Sequence, residues 1–169
     1  MNVQDFIDNF SDISSDSDEE EGLDVNKILQ ILDDDNEEDT RLLETTRENI
    51  EDNKFVVLNE LGLTNEKLLD FSNKLENYRY IDDIKDLRYN GYIKWISLKN
   101  PEKIKLSRGA FICDMKVSNN GINILCILTS RNYKRIFNIS MTENLIFQRI
   151  SDNEHMLLSI VDYLKQKND

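Results

Sequence analysis

Charge is segregated along this chain of 169 residues, and that split limits where a core can form. Residues 1–40 hold fifteen carboxylates, from Asp5 to Asp39, against one cation, Lys27, for a net −14. Residues 41–169 hold the other eighteen acids against twenty Lys and Arg, for +2. Within 91–150 the count is ten basic to three acidic, or +7. The overall −12 therefore joins an acidic arm to a mildly basic body. The arm's S-D-I-S-S-D-S-D-E-E-E run has too little apolar surface to offset the entropy of ordering it, so residues 1–22 read as disordered. Folding is expected only beyond them.

One short apolar segment interrupts the acid. Leu23, Ile28, Leu29, Ile31 and Leu32 cluster at roughly helical spacing within 23–38. Alone the segment is too short to hold a helix in water, so it has to dock, on its own body or in a partner's groove.

Residues 39–90 read as helical. Asp39 and Thr40 are candidate caps for 39–61, and Thr64 for 64–77, where Leu68, Leu69, Phe71 and Leu75 form a stripe. The period changes to two from Gly91. Strands are expected at 92–98, 110–118, 122–128, 133–141 and 145–150, with a short one at 103–107. Asn120-Gly121 suits the centre of a type I′ turn, which pairs Asn119 with Ile122, Met115 with Cys126 and Cys113 with Leu128. That register places both cysteines on one apolar face. Ser151 and Glu154 make a capping box for a last helix with Met156, Leu157, Ile160, Val161 and Leu164 on one side. The expected fold is α+β: acidic arm, short helices, then a small antiparallel sheet or barrel of about five strands with a C-terminal helix, over 91–169.

Groups for chemistry are sparse. His155 is the single histidine and is expected on the surface. Two cysteines give no disulfide framework and no zinc spacing, and no Gly-rich phosphate loop exists. No catalytic residue, metal site or cofactor is expected. Ser15 and Ser17 each precede an acid by three residues, a weak phosphorylation pattern. Met1 is followed by acidic and polar residues, which is unlike a secretory leader, and no apolar run could span a membrane. An intracellular setting is the expectation.

The sharper binding expectation lies in the basic stretch. Lys94, Lys103, Lys105, Arg108, Arg131, Lys134 and Arg135 are interleaved with Tyr92, Trp95 and Tyr133. Small barrels bind single strands with cationic grooves and aromatic platforms. The plainer alternative is a solvated positive face with its aromatics in the core. A third possibility is that the arm folds back over the basic sheet and competes with a polyanion.

The stretch G-Y-I-K-W-I-S-L-K-N-P-E-K-I-K-L-S-R-G-A-F-I-C-D, with N-N-G-I-N-I-L-C and E-N-L-I-F-Q-R-I-S-D, resembles small proteins of giant, Mimivirus-like DNA viruses over about residues 78–165. The resemblance implies a viral source, with a viral factory or virion as its setting, and no activity. The leading expectation is a non-enzymatic protein-binding or structural module, bound through 23–32 or a sheet edge. Single-strand nucleic-acid binding, modulated by the arm, is second.

Overall fold

The computed structural model describes residues 45–168. The acidic arm, the apolar segment with Leu23, Ile28, Leu29, Ile31 and Leu32, and Ser15 and Ser17 lie outside the described residues. The chain divides into two compact units. One is Glu48–Ile150; the described part of the other is 45–47 and 151–168.

The larger unit is α+β. Helices α1 (Arg47–Asn59, its first residue belonging to the other unit) and α2 (Asn65–Lys74) precede strands β1 (Tyr78–Ile81), β2 (Tyr92–Ser97), β3 (Ala110–Ser118), β4 (Gly121–Ser130), β5 (Tyr133–Ser140) and β6 (Asn144–Arg149). Thr64 caps α2 as expected, its Oγ1 accepting from the Lys67 amide at 3.4 Å. The strands form one antiparallel sheet in the order β1-β6-β2-β3-β4-β5. Strand β1 is an addition to the five expected and falls within the region read as helical. Its four residues are too few to reveal a period, and it exists because β6 pairs with it, Tyr80 opposite Phe147. The stretch 103–107 is no strand. Pro101–Lys103 makes a single 3-10 turn, and Leu106 alone bridges to Ile96.

Each face of the sheet is buried differently. The outer face of β1, β6 and β2 is covered by the helices, where Leu58, Phe71 and Leu75 meet Tyr78, Ile96 and Phe147. The inner face is lined by Ile81, Ile93, Ala110, Ile112, Ile124, Cys126, Ile139 and Ile146, which come from all six strands, with Leu87 beside them. No residue of a described helix belongs to that cluster, and the sheet curls around it. Trp95 on β2 and Phe137 on β5 have ring centroids 5.6 Å apart with two strands between them. In a flat sheet three strand spacings would separate them by roughly 14 Å. Strands β1 and β5 stay unpaired with each other, so the curled sheet remains open rather than closing into a barrel.

The β3–β4 register differs from the expected one. Ser118 pairs with Gly121, Val117 with Ile122 and Met115 with Ile124. The turn is centred on Asn119-Asn120. Neither asparagine has positive φ, which excludes type I′; Gly121 takes it instead, at 108°. That is the pattern of a tight turn followed by a left-handed residue. The pairing then slips at a bulge between Ile112 and Asp114, so Ile112 faces Cys126. Cys113 is left out of the ladder and is exposed. Its expected core place goes to Ile112, which is buried. Turn chemistry fixed the hairpin's existence, while the bulge, invisible in the pattern, reset its far end.

Two buried polar side chains fasten the strands. Gln148 on β6 accepts from the Arg88 amide and donates to the Arg88 carbonyl, both at 2.8 Å. Lys54 on α1 donates to the carbonyls of Leu75 at 2.7 Å and Tyr78 at 3.1 Å, and to Glu51 Oε1 at 2.7 Å. Its ammonium thus ties α1 to the start of β1. In the smaller unit, α3 (Asp152–Asn168) begins with the expected capping box. The Ser151 amide donates to Glu154 Oε2 and the Glu154 amide to Ser151 Oγ.

Replacing Lys54 by Met keeps the stem and strands two buried carbonyls, a loss of about 2–4 kcal/mol in urea denaturation. Glu51→Gln should cost far less, because the Glu51 side chain is 59% exposed.

Candidate functional site

Two neighbouring features of the larger unit are equipped to bind something: a pocket on the inner face and the free edge of β5. The pocket is an open cleft of about 300 Å³ lined by Trp95, Ser107, Arg108, Gly109, Leu128, Arg135 and Phe137. Trp95 comes from β2, Leu128 from β4, and Arg135 and Phe137 from β5. The loop 107–109 forms the remaining wall. That wall is held by the Trp95 amide, which donates to Ser107 Oγ at 2.8 Å, and by the Ser107 amide, which donates to the Trp95 carbonyl at 2.9 Å. Gly109 has φ of 110°, and a Cβ there would run into the Tyr92 ring and the Ile93 carbonyl. Only glycine lets the loop pass so close to β2.

Arg135 lies over the Phe137 ring, its guanidinium carbon 5.7 Å from the centroid. Arg108 and Arg135 are both exposed, and neither side chain has a hydrogen bond or ion pair among the described residues. The pocket therefore combines an aromatic floor with two unspent guanidiniums, each carrying five N–H donors.

The edge is a matter of backbone. Strand β5 is eight residues long and, among the described residues, pairs only with β4. Its residues Tyr133 to Ile136 are all exposed, Ile136 by 59%. On its outer side Ile136 pairs with Ile127, which pairs with Phe111, itself 49% exposed. From Gly121 to Thr142 the chain holds three cations and no acid.

The expected basic site is brought together only in part. Trp95, Arg108 and Arg135 meet at the pocket, and Tyr133 shares the inner side of β5 with Arg135. Lys134 points to the opposite side, as strand alternation requires. Arg131 sits in the β4–β5 turn, and Lys103 and Lys105 lie in the loop between β2 and β3. Lys94 is on the helix-covered face, donating to the Lys74 carbonyl at 2.9 Å and resting 4.8 Å from the Tyr78 ring centroid. Burial, then the Lys74 and Arg149 charges, hold its pKa below the ordinary value. Tyr92 is also on the outer face, its ring edge-on to Phe111 and its hydroxyl donating to the Arg108 carbonyl. Lys94 and Tyr92 therefore lie away from the pocket. Phe137 and Leu128 are pocket residues the sequence reading did not include. Their signal was the inner-side alternation of β4 and β5.

His155 is not a bare surface residue. Its Nδ1 lies 3.0 Å from Arg47 Nη1, and its carbonyl accepts from Arg47 Nη2 at 2.8 Å. Arginine only donates, so Nδ1 is the acceptor. No cluster of His, Cys, Asp and Glu suited to a metal ion occurs among the described residues. Among them, too, no helix is long and apolar enough to cross a membrane. No protein-family model, curated protein or solved structure matches this chain.

The cysteines give a direct check on the bulge. Burial, helped by the nearby Cys113, pushes the Cys126 thiol up to about 12 from 9.0. The native protein should therefore react with a thiol reagent at Cys113 alone, Cys126 labelling only on unfolding. Between pH 9 and 12 the unfolded chain releases the Cys126 proton while the folded one keeps it, so stability falls as pH rises. The slope is about 1.4 kcal/mol per pH unit. Cys126→Ala should lose that component. Tyr78 and Tyr80, also raised by burial, act equally in both proteins.

Proposed function

We propose that the protein is a non-enzymatic protein-binding or structural module, in the large-DNA-virus setting its sequence resembles, and that it recruits an extended acidic segment onto β5. The observation that carries this reading is the free β5 edge: eight residues with no strand across from them among the described residues. Added strands gain main-chain hydrogen bonds, and alternate side chains give specificity. The opposite edge is closed to this use. Strand β1 has four residues, and its Tyr78 carbonyl is already taken by Lys54.

Charge selects the partner. Arg131, Lys134 and Arg135 crowd one end of the edge with no acid near them in the strand pair. Two copies pairing edge to edge would bring like charges together, the usual guard against self-association. An acidic strand meets no such barrier. The chain's own arm, at −14, is such a sequence and would compete from within, which makes it the regulator. Binding of nucleic acid along one continuous basic surface is less well supported, since the cations divide between both sheet faces, the turn and the loop.

The probe is a synthetic peptide alternating valine with aspartate, added to the full chain while amide exchange is followed residue by residue. Binding should slow exchange at β5 and leave β1 unchanged. Lys134→Glu should weaken it about tenfold at low salt, and removal of residues 1–40 should strengthen it. Binding that leaves β5 exchange untouched would refute strand addition.

A further inference from the structure

Independently of the β5 edge, we infer that the pocket lined by Trp95 and Phe137 binds a planar aromatic ring carrying an anionic group, with the nucleoside monophosphate unit as its ligand class. Three observations converge. First, the floor is aromatic: the Trp95 and Phe137 rings meet at 5.6 Å and 51°, and Leu128 adds an apolar wall. Such surfaces stack on a base of any identity, because every base has a π-face. Second, the polar groups sit together with the rings. Arg108, Arg135 and Ser107 line the same cavity. Ser107 Oγ accepts from the Trp95 amide, which leaves its own proton to donate. The two guanidiniums have no hydrogen bond or ion pair among the described residues, Arg135 resting only over the Phe137 ring, so an incoming phosphate displaces no existing ion pair. Third, the size is right. About 300 Å³ is at the small end of ligand sites and suits one nucleotide rather than a folded element.

The walls are preformed. The loop 107–109 is pinned to β2 by two hydrogen bonds and by the glycine at 109, and Phe137 is fixed by the ring it meets. Ligand binding therefore requires little ordering beyond the two arginine side chains. The expected arrangement has the ring against Trp95 and Phe137 and the phosphate between Arg108 and Arg135. A free nucleotide and one unit of a single strand present the same chemistry, and the experiment separates them.

Trp95 is the single tryptophan of the chain, so its fluorescence reports on this pocket alone. Uridine monophosphate, ribose 5-phosphate, uridine and a short oligouridylate are titrated into the full chain. The expected result is saturable quenching by the monophosphate. Ribose 5-phosphate, which lacks the ring, and uridine, which lacks the charge, should each bind at least about tenfold more weakly. Arg108→Gln and Arg135→Gln should each weaken the monophosphate by about tenfold or more while leaving thermal unfolding unchanged, because both side chains are exposed. Tighter binding of the oligonucleotide, with the same dependence on both arginines, assigns the site to single strands; equal binding per unit assigns it to free nucleotide. Absence of saturable quenching by either, or quenching indifferent to both arginines, would overturn the inference. Strand addition at β5 is read from amide exchange with an aspartate–valine peptide, so either idea can fail without the other.

Discussion

One extra residue in β3 governs how the sheet is organised. At Cys113 the β3–β4 ladder slips, and the residues on either side of it exchange faces. Toward the turn, Met115 shares the inner side with Ile124; beyond the bulge, Ile112 takes that side and Phe111 turns outward. Bulges also add bend and right-handed twist to the strand that carries them. The curl that brings β5 round to β2 gathers residues of all six strands into one inner cluster. The pocket lies on the inner side of that curl, where β5 comes round toward β2 and the loop leading into β3. Core, pocket and open edge thus share one geometric cause.

The parts of this fold legible in the sequence were those set by local chemistry. The capping box at Ser151 and Glu154, the Thr64 cap and the period-two stretches from Tyr92 onward need only neighbours within a few residues, and each is present. The parts that escaped are set by distant partners. Strand β1 is four residues whose ladder lies some seventy positions away on β6. The Asn119-Asn120-Gly121 triplet admits two turns one residue apart. The expected one rewarded an unbroken apolar alternation through Phe111, Cys113 and Met115, whereas the chain breaks that alternation so that Ile112, larger than cysteine, fills the core. An apolar pattern cannot choose between these when both sides of a strand carry apolar residues.

The same limit applies to the basic stretch. Ten cations within sixty residues suggested a surface, but strands send successive side chains to opposite faces. Lys134 and Arg135 are adjacent in sequence and opposed in space. Lys94 was absorbed by the packing of α2, where a long stem over Tyr78 and a carbonyl partner are worth more than exposure. The sequence pattern placed Trp95, Arg108 and Arg135 in a set of ten, without separating them from the other seven. It could not show that Phe137 and Leu128 join them, since that needs the curl.

Strand β5 has three separable directions. Its inner side offers Arg135 and Phe137 to the pocket. Its outer side continues the row Phe111–Ile127–Ile136 across three strands. Its free backbone groups lie in the plane of the sheet, between the two. A strand added at the edge would extend all three: alternate side chains would reach the pocket mouth and the outer apolar row, while the main chain completed the ladder. On the reading proposed above, the arm of opposite charge would set a threshold for such a partner, because its fifteen tethered carboxylates would compete at an effective concentration that does not dilute. Net charge alone, −12, would mark this protein as one that repels acidic partners. Divided along the chain, the same charge is −14 over residues 1–40 beside +7 over 91–150, and the second part forms the sheet strands that would meet an acidic strand.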